Sequence, residues 1–291
     1  IGLCMGCGAL FSMYYGAKRM DDLKESLWVS FWLILAVTAV IYGIVFAGTD
    51  GILRLLQTPE EIYDLMYDYV RIIFIGIGFT FLYNYFAFVL RAIGNSVLPL
   101  IFLAVSAILN VALDLWFVTG LDLGVAGAAA ATVIAQAVAG TGIAAAALFS
   151  GSAGKDKNSP VPDIPGSRDI TFFSGKNGRF SPLFPDKQHR RFRKEMLLQV
   201  GQYAAFTCMQ QSVMNFGILM IQGLVNSFGT VVMAAFAAAV KIDTLAYMPV
   251  QEFGNAFSLF ISQNHGAGEK NRVRRGIVVS VRISVIFCII I

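Results

Sequence analysis

Catalytic hardware is nearly missing from this chain. It has two histidines, no HExxH run and no phosphate-cradling GxxxxGKS/T run, and its Ser, His and carboxylate residues do not converge at a catalytic spacing. An enzyme, intramembrane or otherwise, is therefore not expected. Cysteine is as sparse: of four residues, only Cys4 and Cys7 have a CxxC spacing. Lacking a second pair and set in an apolar helical stretch, they read as packing residues, not as a metal or redox site. Charge is scarce too. Only 14% of the 291 residues are charged against 57% hydrophobic, and the mean hydropathy is +0.68, which excludes an ordinary soluble domain. Neither end carries the basic, apolar, small-residue succession of a signal peptide. The chain opens on Ile1 and stops within Ile289, Ile290 and Ile291, so it reads as a fragment.

What the sequence does have is long apolar runs. A helix needs about 20 such residues to cross a bilayer, and eight candidate spans follow, over residues 1–15, 28–47, 67–90, 97–119, 124–149, 196–227, 230–263 and 276–291. The expected fold is all-α and polytopic. Basic residues crowd onto alternate connections: Lys18, Arg19 and Lys24, then Arg91, then Lys155 through Lys194, then Lys270, Arg272, Arg274 and Arg275. Arg54 stands alone on the others, beside Asp50, Glu60, Glu61, Asp64 and Asp122. The basic loops are therefore predicted to be cytoplasmic and the protein to be a multi-pass plasma-membrane protein. Residues 150–195 change composition, first Gly, Ser, Pro and Lys, then Phe and Arg, and read as a cytoplasmic linker. Its run His189-Arg-Arg-Phe-Arg-Lys either attracts anionic lipid or only sets topology.

An internal repeat appears at an offset of 250 residues. Ser12, Gly16, Ala17, Val29 and Ser30 match Ser262, Gly266, Ala267, Val279 and Ser280. Both copies leave the membrane on the basic side with six spans between equivalent helices, which predicts two six-helix lobes related about the membrane normal, incomplete in this sequence.

Polar residues inside the apolar runs form stripes. Ser106, Asn110 and Asp114 are spaced by four and share one helical face, as do Thr132, Gln136 and Gly140 in the next span. An ionisable group there costs roughly 2.5–3.5 kcal/mol on insertion scales, so Asp114 points to ion or proton handling. Asp114, Asn110 and Thr132 offer oxygen and amide groups suited to Na⁺ or to a shared proton. The alternative is a structural Asp bonded to neighbouring backbone or Asn side chains. Farther on, Gln211, Asn215, Gln222 and Asn226 fall within about 60° of one another on a helical wheel, and Lys241, Thr244, Glu252 and Asn255 share a face of the following span. These stripes either line a wet cavity or bind helices together. Arg71, near a span end, reads as a snorkelling structural residue and His265 as a surface one.

The run Asn110-Val-Ala-Leu-Asp-Leu-Trp-Phe, followed by Leu123-Gly-Val-Ala-Gly-Ala-Ala-Ala-Ala-Thr-Val-Ile-Ala-Gln, resembles the central motif of the multidrug and toxic compound extrusion (MATE) transporters. Arg91-Ala-Ile-Gly-Asn-Ser is similar to the family's cytoplasmic turn, and Gln263-Asn-His-Gly-Ala-Gly resembles its second-half loop. The resemblance implies helices two to nine of twelve. Residues 1–149 would be an N-lobe of helices two to six, 150–195 the inter-lobe linker, and 196–291 the start of a C-lobe of helices seven to nine. It further implies a secondary antiporter exporting organic cations or drugs in exchange for H⁺ or Na⁺, with no cofactor, its partners being those small molecules and membrane lipid, not nucleic acid. One branch of the family holds its cation with an Asn and an Asp one turn apart and a Thr on the next helix, which carry over to Asn110, Asp114 and Thr132. An Asp on helix one completes that set and lies outside this sequence. Other members use an acid on helix seven, where this chain has Gln210 and Gln211. Gln136, Gln211, Asn215, Gln222, Lys241, Glu252 and Asn255 are the expected substrate-cavity residues. Two other readings are a lipid-linked oligosaccharide flippase of the same superfamily, for which Lys241 is the lone basic candidate, and a non-transporting membrane scaffold or receptor.

Overall fold

Apolar runs become helices because a backbone without water must bond to itself. The computed structural model of the protein describes residues 1–56, 58, 60–149 and 191–290. Most of the expected linker, residues 150–190, lies outside them. Ten α-helices follow in order: α1 (Gly2–Gly16), α2 (Met20–Ala47), α3 (Thr49–Leu55), α4 (Tyr63–Ile75), α5 (Ile77–Ala92), α6 (Val97–Leu115), α7 (Gly124–Phe149), α8 (Lys194–Asn226), α9 (Thr230–Gly266) and α10 (Lys270–Ile290). There is no β-strand among the described residues, and the fold is a polytopic membrane helical one. Four helices are long and apolar enough to cross a bilayer on their own: α2, α6 with its extension to Gly120, α7 and α8. The expected span over residues 67–90 is two helices, α4 and α5, bent by 42° at Gly76. The other three expected spans are helical as well. α1 has only 15 residues, while α9 carries Lys241 and Glu252 and α10 carries Arg272, Arg274, Arg275 and Arg282.

Two helices organise the packing. α7, almost all Ala and Gly over its buried face, is contacted by α4, α5 and α6, and α1 is contacted by α2, α5, α8 and α9. Close approach depends on missing side chains, as is usual where lipid offers no hydrophobic drive between helices. On α1, a Cβ at Gly6 would lie 2.3 Å from the Tyr203 carbonyl oxygen of α8, and one at Gly2 would lie 2.9 Å from Cys208 Cα. Near its other end α1 crosses α9. A Cβ at Gly16 would lie 1.9 Å from the Gln263 carbonyl oxygen, and a Cβ at Gly266 would lie 2.0 Å from that of Met13. Since 13 and 16 become 263 and 266 on adding 250, each copy of the repeat touches the other through the same atoms.

The repeat also ends its helices identically. Arg19 N–H donates to Tyr14 O at 3.0 Å and Lys18 N–H to Tyr15 O at 3.1 Å; Glu269 N–H donates to Asn264 O at 3.0 Å and Gly268 N–H to His265 O at 3.0 Å. Both are Schellman caps, which need a left-handed residue just past the helix. Gly268 fills that place at φ 74°, whereas Lys18 fills its counterpart at φ 59° with a Cβ to accommodate. α5 stops the same way at Gly94, φ 95°.

Side chains add to this crossing. Cys4, Cys7, Leu10 and Phe11 are buried in the main apolar cluster, in keeping with packing roles for both cysteines. Tyr14 Oη donates to Gln199 Oε1 at 2.6 Å, and Tyr85 Oη donates to Leu27 O at 2.7 Å. Arg193, just before α8, pairs with Glu25 at 2.9 Å and with Asp22 at 3.6 Å, both on α2. The Arg71 guanidinium stacks over Phe46 and Tyr67, 4.8 and 5.4 Å from their centroids, which fits a structural role.

Gly16→Leu should lower the stability of the purified full-length protein by at least about 1–3 kcal/mol, an overpacking loss, read as a drop in thermal midpoint. Gly43→Ala, where an added Cβ meets nothing within 4 Å, should be neutral or stabilise by up to about 1 kcal/mol. Lys18→Gly should raise the midpoint, because left-handed backbone costs a non-glycine residue about 1–2 kcal/mol.

Candidate functional site: a polar stripe between helices α6 and α7

The stripe begins with how α6 starts. Asn95 Oδ1 accepts from Leu98 N–H at 3.2 Å, and Pro99 sits in the first turn, where its missing donor breaks no helical bond. From there the spacing of four carries Ser106, Asn110 and Asp114 along one face. α7 lies antiparallel to it, close enough that a Cβ at Gly142 would be 2.6 Å from the Phe102 ring.

The two faces meet residue by residue. Ser106 Oγ donates to Ala135 O at 3.0 Å. One turn on, Asn110 Nδ2 donates to Thr132 Oγ1 at 3.3 Å, and the Thr132 hydroxyl donates to Ala128 O at 3.0 Å. The same register sets Asp114 level with Ala128. Asp114 is part-buried, and its Oδ1 is shielded from solvent without a hydrogen-bond partner among the described residues. A buried oxygen left unbonded costs about 1–3 kcal/mol, more when it carries charge. Its neighbours Asn110 and Thr132 are already bonded to each other, so the geometry leaves Asp114 available to a third body. A small cation or a proton would satisfy that oxygen. Immediately beyond it, α6 loosens into a π-helical turn, Trp116–Gly120, a departure found disproportionately at functional sites.

Gln136 lies one turn from Thr132 and also keeps a buried, unpartnered oxygen, Oε1. It faces the bend at Gly76, where a Cβ would lie 2.3 Å from that oxygen. With Thr80, Tyr83, Leu103 and Ser106 it lines a cavity of about 170 Å³ between α5, α6 and α7. A larger cavity of about 340 Å³ opens between α6 and α9, with Arg91 and Glu252 on its walls. Gln211, Asn215, Gln222, Lys241 and Asn255 line neither of these two. Asn215 and Lys241 are exposed, Gln211, Gln222 and Asn255 part-buried, and His265 is at the surface. The Asn226 and Thr244 side chains lie outside what is described.

Sequence spacing did not reveal the Arg91–Glu252 ion pair, 3.4 Å long across 161 residues. Arg91 entered that reading as a topology marker and as the start of the family-like turn, not as a partner of Glu252. The bend at Gly76 was hidden too, because no proline marks it.

A family model described as MatE matches residues 1–116 and 204–291. The chain is 31% identical over 260 residues to the probable multidrug resistance protein YpnP of Bacillus subtilis, covering 88% of this chain and 51% of that protein. It is 29% identical to the probable multidrug resistance protein YoeA of the same organism, with 97% and 56% covered. The chain thus spans about half the length of the curated relatives it matches. Among solved structures, the bent form of the Vibrio cholerae MATE transporter VcmN superposes with a TM-score of 0.73 at 21% identity, covering 98% of this chain and 58% of that one. A MOP-superfamily transporter from Pyrococcus furiosus gives 0.78 at 18% identity, covering 98% and 57%. These likenesses show the fold.

If Asp114 Oδ1 is the unmet group, Asp114→Asn should raise the thermal midpoint of the cation-free protein and abolish any midpoint rise on adding Na⁺. Titrating Na⁺ against both proteins during thermal unfolding checks this.

Proposed function

The chain belongs to the MatE family, and from that premise we propose that it forms part of a secondary antiporter exporting organic cations or drugs in exchange for H⁺ or Na⁺. The observation that carries the reading is the buried, unpartnered oxygen of Asp114 beside the Asn110–Thr132 pair. Asp114 binds the coupling cation, Asn110 and Thr132 complete its oxygen and amide surroundings, and no cofactor takes part. Residues 1–149 act as an N-lobe, 150–195 as a linker and 196–291 as the start of a C-lobe. The basic connections face the cytoplasm of a cell whose plasma membrane the protein crosses. Substrate occupies the space between lobes, with Glu252 on the wall of the cavity there, Gln136 in the smaller cavity beside it within the N-lobe, and Gln211, Asn215, Gln222, Lys241 and Asn255 as further polar surface.

The mechanism needs only two packings of the lobes and a cation that prefers one. Neutralising Asp114 removes a desolvated charge from the α6–α7 interface and favours the packing that excludes water from it. Drug binding between lobes favours the other packing. The two ligands exclude each other through that equilibrium, which couples their movements in opposite directions.

Efflux driven by an imposed H⁺ or Na⁺ gradient, measured in vesicles holding the full-length protein, tests the reading. Asp114→Asn should abolish gradient-driven efflux while leaving the protein in the membrane, and Thr132→Val should weaken it. Equal gradient-driven transport by wild type and Asp114→Asn would remove Asp114 from coupling.

A further inference from the structure

The larger cavity lies where the N-terminal and C-terminal parts of the chain meet, with Arg91, Ser96 and Leu100 on one side and Glu252, Phe260 and Gln263 on the other. Its charges are one guanidinium and one carboxylate, 3.4 Å apart. That is long for a charge-assisted pair, which closes to about 2.7–2.9 Å when fully formed. The Glu252 side chain is 62% exposed and that of Arg91 22%, so the pair spans the cavity without being sealed in it. The Phe88 ring supports Arg91 at 5.6 Å, and Asn255 Nδ2 donates to Glu252 Oε1 at 3.4 Å.

We propose that this cavity is a docking subsite for amphipathic zwitterions, with Arg91 taking the ligand's carboxylate, Glu252 its ammonium, and Leu100 and Phe260 its apolar body. The inference rests on the transport reading above and specifies the charge type that the cavity selects. Charge pairing is the reason. A simple cation must evict Arg91 from Glu252, and a simple anion must evict Glu252 from Arg91. The first leaves Arg91, the more buried of the two, without its partner, and the second leaves Glu252 with solvent and the Asn255 amide alone. A zwitterion replaces one stretched pair with two and leaves none unmet. The volume, about 340 Å³, falls at the lower end of the range for small-molecule sites.

The position fits as well. Ser96, Leu100, Leu103, Ser106, Asn110 and Asp114 fall within an arc of about 120° on α6. Ser96 and Leu100 line the larger cavity, and Leu103 and Ser106 the smaller. A molecule seated between Arg91 and Glu252 therefore lies at one end of the stripe whose other end, about 27 Å away by helical rise, carries the coupling carboxylate.

Three fluorescent probes separate the charges: Nε-dansyl-lysine, its methyl ester without the carboxylate, and its Nα-acetyl derivative without the ammonium. Titrated against the full-length protein in nanodiscs, the zwitterion should bind about tenfold tighter than either derivative, the worth of one charge-assisted hydrogen bond. Arg91→Gln should bring it down to the affinity of the methyl ester, and Glu252→Gln to that of the acetyl derivative. The exchanged variant Arg91→Glu/Glu252→Arg, matched to wild type in size-exclusion profile, should keep the preference for the zwitterion. Equal affinity of the three probes for wild type would overturn the proposal, as would a zwitterion affinity unmoved in both single variants. Equilibrium binding needs no ion gradient, so this outcome is read independently of the efflux experiment: wild-type efflux indifferent to an imposed H⁺ or Na⁺ gradient, with the probe preference intact, would sink the antiport reading alone.

Discussion

The structure depends on one backbone crossing. Where α1 passes α9, Gly16 and Gly266 leave no room for even a methyl group between one helix and the carbonyl of the other. Such an approach fixes the helix axes more tightly than interlocking side chains would, because carbonyl groups do not repack. The remaining contacts between the two parts of the chain follow from it. Tyr14 reaches Gln199, Arg193 reaches Asp22 and Glu25, and Arg91 reaches Glu252. The ion pairs among them are part-exposed and contribute little individually; their value is orientation around a crossing already fixed by sterics.

Against that rigid contact, the α6–α7 interface is built to be unfinished. Small residues on α7 bring it close to α6, and hydrogen bonds at Ser106 and Asn110 set the register. The series then stops one turn short, at Asp114. A structural stripe would have continued, with a donor from α7 for the last carboxylate oxygen. A stripe that orders its first two members and leaves the third unmet suits a group whose partner comes and goes.

Much of this was legible in the sequence, for physical reasons. Hydropathy forces helices, so all eight apolar runs appear as helices. A spacing of four forces a shared face, so Ser106, Asn110 and Asp114 form one stripe and Thr132 and Gln136 another in the sequence alone, and the family resemblance joins Thr132 to Asn110 and Asp114. The repeat marked Gly16 and Gly266 as equivalent, though not that they touch. What stayed hidden depends on tertiary placement. Gly76 bends a span without proline, and its partner at the bend, Gln136, is 60 residues away. Arg91 and Glu252 lie in separate parts of the chain, and each has a sufficient local explanation, one as a topology charge and the other as a polar stripe member. The polar faces of α8 and α9 were read as cavity walls. Of their members with described side chains only Glu252 lines either described cavity, because a helical wheel gives direction but not what stands opposite.

The reciprocity of the crossing has an evolutionary meaning. A contact in which residue 16 meets 263 while 266 meets 13 is what two copies of one half-length polypeptide make across the axis of a symmetric dimer. Joining such copies into one chain would preserve the contact and free everything away from the axis to diverge. Lys18 and Gly268 are where the two copies differ while the turn stays the same: both hold left-handed backbone, and only Gly268 does so without a Cβ to accommodate.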